Sequence, residues 1–292
     1  MPTHLPPWLI PRQRKRPALD RMTPILRRCG VSTICEAARC PNVGECFAVG
    51  VATFLILGEN CTRRCTYCAV GHDAPQPPDP DEPRRVAAAA CELGLGYIVV
   101  TSVTRDDLPD GGAAHFAATV QALRATLPQA RVEVLVPDFA ADHAAQAVVM
   151  QARPDVFAHN VETMPRLYPT VRPGAGYARS LALLRAAADA GLATKSGAML
   201  GLGESLDEVR ELMLDLRAAG VGILTLGQYL QPTRRHCAVA RYIEPQEFAA
   251  LESEARAIGF AEVRAGPFVR SSYRAGESGT VTNFPRGLAG RP

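Results

Sequence analysis

Cys61, Cys65 and Cys68 stand at CxxxCxxC spacing directly after the apolar run of residues 53–57. Three thiolates on one short loop can each hold one iron of a cubane iron–sulfur cluster, leaving the fourth iron without a protein ligand and open to another molecule. A structural zinc site would close a tetrahedron with a second CxxC knuckle or an HxxxH pair, and the chain has neither. A second triplet, Cys35, Cys40 and Cys46, lies upstream at CxxxxCxxxxxC spacing, in a stretch of turn formers with too few apolar residues to pack alone. A metal cluster would supply that organisation, because binding free energy at such a site is also folding free energy.

Nine cysteines in 292 residues, six of them in these triplets, point to metal ligation in a reducing compartment and not to a secreted disulfide framework. Cys29, Cys91 and Cys237 are scattered and read as small buried hydrophobes. A net charge of +3 is too small to mark a nucleic-acid binder, and the most basic cluster, residues 12–16, sits in a Pro-rich N-terminal tail expected to be solvated. No secretory leader pattern and no run long enough to cross a bilayer is present. The expectation is a soluble cytoplasmic protein with neither nucleic acid nor membrane as a partner.

Something must position the thiols, and from residue 53 the pattern supplies it. Short β-branched runs at 53–57, 97–103, 131–136, 155–162, 194–200 and 223–229 alternate with helix-like stretches at 82–93, 113–127, 141–152, 177–190 and 205–219, and a last helix covers 245–258. Ser205 and Glu208 form a capping-box pattern. Near-continuous apolar strands alternating with helices predict a parallel sheet covered by helices, either doubly wound or a barrel. Polar residues cluster after many strands, including Thr104-Arg105-Asp106-Asp107, Pro137-Asp138, Asn160, Glu162, Gly201 and Glu204. That distribution belongs to a barrel mouth, whereas a doubly wound sheet gathers its site at one switch point. Six units fall short of eight, so the expected fold is α/β, a partial (β/α)6 TIM-type barrel open along one side. A short helix starting near Thr23 precedes it. Residues 1–50 form an N-terminal extension carrying the upstream triplet, 51–262 the barrel, and 263–292 a closing segment ending in a mobile tail.

The cluster loop, Lys195-Ser196-Gly197, Gly227-Gln228-Tyr229-Leu230, Arg270-Ser271-Ser272-Tyr273 and the post-strand motifs above together resemble the lipoyl synthase family of the radical S-adenosylmethionine (SAM) superfamily over nearly the whole chain. The resemblance implies a sulfurtransferase that inserts two sulfur atoms, at C6 and C8, into an octanoyl chain on a lysine of a carrier protein. Those carbons are unactivated, so hydrogen-atom abstraction and not proton removal is required. The resemblance further implies a 4Fe-4S cluster on Cys61, Cys65 and Cys68 whose open iron takes SAM, with its cleavage supplying the radical. A second, sacrificial 4Fe-4S cluster on Cys35, Cys40, Cys46 and Ser272, with Ser271 the close alternative to Ser272, would supply sulfur. Asn160, Glu162, Gly201 and Glu204 are implied SAM contacts, the first two by alternation along one strand. Implied partners are octanoylated lipoyl domains of 2-oxoacid dehydrogenase acyltransferases, the glycine cleavage H protein, and an electron donor.

Two departures from the family pattern, Tyr67 where phenylalanine is common and Thr104 where aspartate is usual, change no ligand. The residues alone also admit a two-cluster radical enzyme acting on a small molecule. An electron-transfer protein fits less well, since carriers shield every iron with four protein ligands. Arg105, Asp106 and Asp107 read either as site residues or as a surface ion-pair group, and Lys195 and Arg270 either as partners for charge in a cavity or as snorkelling side chains.

Overall fold

The computed structural model describes residues 5–10, 16–38, 40, 42–48, 51–273 and 275. Residues 12–15 and the tail 276–292, expected to be solvated and mobile, lie outside the described residues, as does Arg274. Helix α1 (Arg16–Cys29), the short strand β1 (Ser32–Thr33) and two short helices, α2 (Ile34–Ala37) and α3 (Val43–Ala48), come first. The repeat then runs β2 (Ala52–Ile56), α4 (Glu82–Glu92), β3 (Tyr97–Ser102), α5 (Ala113–Thr126), β4 (Arg131–Leu135), α6 (His143–Gln151) and β5 (Val156–Ala158). It continues through α7 (Tyr168–Val171), α8 (Tyr177–Asp189), β6 (Ala193–Leu200), α9 (Leu206–Ala218), β7 (Ile223–Gln228), α10 (Pro245–Ile258) and β8 (Glu262–Gly266).

One sheet joins the strands in sequence order, antiparallel between β1 and β2 and parallel from β2 to β8. Among the described residues no ladder joins β8 back to β1. The partial barrel therefore stands, with one parallel strand more than the six expected. Helix α1 also begins at Arg16 and contains Pro24, where the sequence predicted a start near Thr23. Cys91, expected to be buried, is exposed on α4.

Alternation along the strands separates two surfaces. Phe54, Ile56, Ile98, Val100, Val132 and Val134 pack outward with Val86, Phe116 and Val120 of α4 and α5. Leu224 and Leu226 do the same with Val209 and Leu212 of α9 and Leu251 of α10. The opposite parity faces inward, where Thr53 of β2 and Thr225 of β7 line one cavity. Five strand spacings in a flat sheet would separate these two residues by about 24 Å, so the sheet must curl. Below the cavity, Lys195 Nζ lies 2.9 and 3.0 Å from the two carboxylate oxygens of Glu133. The Tyr97 hydroxyl donates to the same carboxylate at 2.6 Å. Lys195 thus pairs with a carboxylate, but buried beneath the cavity, not at its mouth. The capping box forms as predicted, Glu208 N donating to Ser205 Oγ at 3.2 Å and Ser205 N to Glu208 Oε2 at 2.8 Å.

Candidate active site

The CxxxCxxC loop leaves the C-terminal end of β2 and is tied on several sides. Cys61 N donates to Gly71 O at 2.8 Å, Thr62 N to Thr104 O at 3.0 Å and Thr66 N to Val171 O at 3.0 Å. From the loop after β7, Cys237 N donates to Thr66 O at 3.0 Å and His236 Nε2 to Cys68 O at 3.0 Å. Arg63, inside the motif, donates to Asp106 at 2.8 and 2.9 Å and lies 2.7 Å from Asp138 Oδ1. Burial works against its charge, and the two carboxylates outweigh that and raise its pKa. Asp106 is therefore a brace for the loop. Arg105 forks onto Asp107 at 2.9 and 2.8 Å and donates to Leu57 O at 3.0 Å, so the ion pair forms with its arginine buried and its aspartate exposed.

All nine cysteines are free. Burial, joined by the neighbouring thiols of each triplet, pushes the Cys35 and Cys68 thiols up to about 12. Cys65 is raised by burial too, with Arg172 pulling the other way. Each triplet thus gathers thiols close enough to repel as thiolates, which is the donor set a cationic metal cluster would relieve. Zinc would need its sulfurs about 3.8 Å apart around one ion at 2.3 Å, and among the described residues no such group converges on a single point. The chemistry of the donors fits thiolates spread over separate irons. Thr104 N, which donates to Cys61 Sγ at 3.3 Å, is a sulfur contact of the kind that tunes such a cluster.

A cavity of about 520 Å³ opens at this end of the barrel. Cys35, Cys40, Cys46 and Ser272 line it together with Tyr67 and Cys68, while apolar wall comes from Ile34, Leu135, Met199 and Leu230. Cys61 and Cys65 are not among its lining residues. Asn160 and Glu162 face it, although β5 ends at Ala158. They lie in the loop beyond and keep the strand's parity, with Glu162 at φ 67° bridged to Ala198 of β6. A non-glycine residue held at positive φ is strain that the surroundings must over-determine, and here Met199 N donates to Glu162 O at 2.8 Å. Asn160 Nδ2 donates to Glu162 Oε1 at 3.0 Å, and Arg172 Nη1 to Asn160 O at 2.8 Å. Burial pushes the Glu162 carboxyl up, against the pull of Arg172, Asn160 and Arg270. Arg270 faces the cavity, its pKa lowered by burial while Cys40 and Glu162 favour its charge.

Gly201 and Glu204 are not brought into the cavity lining. The Glu204 carboxylate accepts from Gly201 N at 2.5 Å and Leu202 N at 2.9 Å, so it is consumed in shaping the turn after β6. The part of that motif that reaches the cavity is the strand, Gly197, Ala198 and Met199.

The segment after β8 closes the open side. Asn42 Nδ2 donates to Phe268 O at 2.5 Å and Tyr273 OH to Glu45 Oε1 at 3.1 Å, tying the segment to the N-terminal extension. It crosses β7 at Gly227, where a Cβ would run into the Val269 carbonyl oxygen. Ser271 Oγ donates to Asn160 Oδ1 at 2.7 Å. Ser272 makes no such bond among the described residues and faces the cavity beside the upstream thiols.

Behind Asn160 lies a network that joins residues far apart in the chain. His159 is buried, its Nδ1 donating to Val136 O at 2.8 Å and its Nε2 accepting from Ser180 Oγ at 2.9 Å. Burial and the nearby Arg172 hold its pKa down to about 3. An unfolded imidazole titrates near 6.5, so between these values the unfolded chain takes up a proton that the folded chain refuses. The stability is complete above about pH 6.5 and is lost as pH falls toward about 3. Urea midpoints should fall more steeply below about pH 6.5 in the parent than in His159→Asn; equal slopes would contradict this. Arg63, Arg172, His236 and Cys237 come from irregular segments, and the sequence clues to the brace were Asp106 and Asp138, each shortly after a strand.

The Radical SAM superfamily model matches residues 55–216. A lipoyl synthase of Thiobacillus denitrificans is 53% identical over 274 residues, spanning 93% of this chain and 88% of that protein. One of Methylococcus capsulatus is 52% identical over 283 residues, spanning 96% and 88%. The crystal structure of methylornithine synthase (PylB) superposes with a TM-score of 0.54 at 12% identity, covering 81% of this chain and 78% of that one, and shares the fold.

Proposed function

The chain belongs to the lipoyl synthase family of the radical SAM superfamily, and on that premise we propose how its own residues divide the work of a radical SAM sulfurtransferase acting on an octanoylated protein. The observation that carries the proposal is one cavity lined at once by Cys68 and Tyr67, by Cys35, Cys40 and Cys46, and by Ser272. A radical source and a sulfur source that share a cavity can both reach one bound chain, so the second step needs no release and rebinding. When bound, SAM and two 4Fe-4S clusters supply the radical and the sulfur.

Cys61, Cys65 and Cys68 hold the cluster that takes SAM, on a loop fixed by Arg63, Asp106 and Asp138. Asn160 and Glu162 meet the ribose and methionine parts of SAM, and the backbone of residues 197–199 passes its adenine. Gly201 and Glu204 act at one remove, by holding the turn that ends β6. Cys35, Cys40, Cys46 and Ser272 hold the second cluster; an alkoxide is a poor match for soft iron, which suits a cluster that surrenders sulfur. Ser271 instead positions Asn160. The apolar wall receives the octanoyl chain.

The carriers are lipoyl domains of 2-oxoacid dehydrogenase acyltransferases and the glycine cleavage H protein, and a separate donor supplies electrons. No helix among the described residues is long and apolar enough to cross a membrane. Free thiols in both triplets suit a reducing cytoplasm.

Anaerobic reconstitution should give about eight irons per chain; a count near four would remove the second cluster. Ser272→Ala should slow sulfur insertion roughly tenfold or more with 5′-deoxyadenosine release unchanged. Ser271→Ala should instead raise the KM for SAM, and the same loss in both variants would contradict the assignment.

A further inference from the structure

Two loops carry the rim of the cavity. One is the cluster loop, whose Tyr67 and Cys68 line it, and the other follows β7, where Gln231 and Pro232 line it. The bonds from Cys237 N to Thr66 O and from His236 to Cys68 O lay the second loop on the first. Arg64 on one loop and Arg234 and Arg235 on the other are exposed, and their side chains have no ion-pair or hydrogen-bond partner among the described residues. Other surface arginines are matched, as Arg166 is with Glu208, Arg210 with Glu254 and Arg256 with Glu252, while Arg21 and Arg27 on α1 are exposed without such a partner among the described residues but do not lie on the rim loops. Three exposed guanidinium groups on the two loops that carry the rim, without a carboxylate partner among the described residues, give that side of the molecule a positive field where its substrate must arrive.

Resting on the reading of the substrate as an octanoylated protein, we propose that Arg64, Arg234 and Arg235 form a cationic rim that receives an acidic face of the folded carrier domain while its acyl-lysine arm enters the cavity. An acyl-lysine arm is short, so the body of the carrier must come to rest on the loops around the opening. Guanidinium forks suit carboxylates bidentately. Rim charges of this kind govern encounter and salt dependence more than the strength of the final complex.

The test is the reconstituted holoenzyme carrying Arg234→Glu and Arg235→Glu, with Arg64 left in place because it lies within the cluster motif. For a folded octanoylated lipoyl domain, kcat/KM should fall roughly ten- to thirtyfold at low salt and lose most of its salt dependence. For a short octanoyl-lysine peptide it should stay within about twofold, and Arg234→Lys with Arg235→Lys should restore most of the loss on the folded domain. Unchanged turnover of the folded domain, or an equal fall for both substrates, would overturn the rim. Binding of the labelled domain, read by anisotropy without turnover, decides the rim separately. If the parent binds the domain in a salt-dependent way that the reversal abolishes, yet transfers sulfur to neither substrate, the substrate reading fails and the rim stands. If the reversal instead removes binding to anionic vesicles or duplex DNA and spares the carrier, the rim serves another partner and the proposal is overturned.

Discussion

Alanine at Cys35, Cys40 and Cys46 together leaves SAM cleavage intact and removes lipoyl product, a loss of roughly 10³-fold or more. The structure explains why the two activities separate. The cluster loop takes its hydrogen bonds from Gly71, Thr104, Val171, His236 and Cys237. The upstream triplet has its own set, Cys40 N to Cys35 O at 2.9 Å, Cys46 N to Asn42 O at 2.9 Å and Val51 N to Cys46 O at 3.0 Å. Each of these hydrogen bonds stays within its own set, so the radical loop keeps its own bracing when the upstream site is emptied, although α2 and the cluster loop both pack on Leu55, Val70 and Val103. Iron should fall from about eight to about four per chain, and 5′-deoxyadenosine should still form. Alanine at Cys61, Cys65 and Cys68 should abolish both activities. Lipoyl product from the first variant would show that the sulfur comes from elsewhere.

The second large effect is on stability. Lys195→Met should destabilise the protein by about 3–5 kcal/mol, the cost of leaving a buried charge without its partner. Glu133 is fully buried and Lys195 nearly so, and the carboxylate also takes the Tyr97 hydroxyl. Burial and Glu133 both raise the Tyr97 pKa, so that hydroxyl stays a donor. Removing both charges with Lys195→Met and Glu133→Leu should recover most of the loss, because an apolar pair of similar volume often does as well as a buried ion pair. Urea unfolding of the reconstituted protein measures both. A cost below about 1 kcal/mol for the single variant would mean that water reaches the pair.

The architecture was legible because the outward faces of the strands carry Phe, Ile, Leu and Val at period two and the intervening helices keep their caps and stops. β8 escaped for a physical reason. Its inward-parity residues Glu262 and Arg264 are charged and pair with each other at 3.2 Å, so Val263, buried against α10, and the small Ala265 carry what apolar signal there is. The first turns of helix α1 lie in a Pro- and Arg-rich stretch with little periodicity, yet Met22 and Leu26 are buried and packing decides.

At the site, ligand spacing was readable while the scaffolding was not. Cys61, Cys65 and Cys68 are close in sequence, so their chemistry shows in the text. The braces join residues far apart in the chain: Arg63 with Asp138, Cys68 with His236, Asn160 with Ser271. Nothing in local periodicity marks such pairs. Glu204 shows the opposite error, since a motif carboxylate that looks free in sequence is taken up by the backbone of its own turn.

Mass spectrometry of an octanoylated lipoyl-domain peptide incubated with reduced, reconstituted enzyme and SAM, without added sulfide, tests the division of labour between the two cysteine triplets. The peptide should gain sulfur at C6 and C8 while the enzyme loses the sulfide of the cluster on Cys35, Cys40 and Cys46 and keeps that on Cys61, Cys65 and Cys68. A peptide that gains no sulfur, or gains it while both clusters stay whole, would contradict the account.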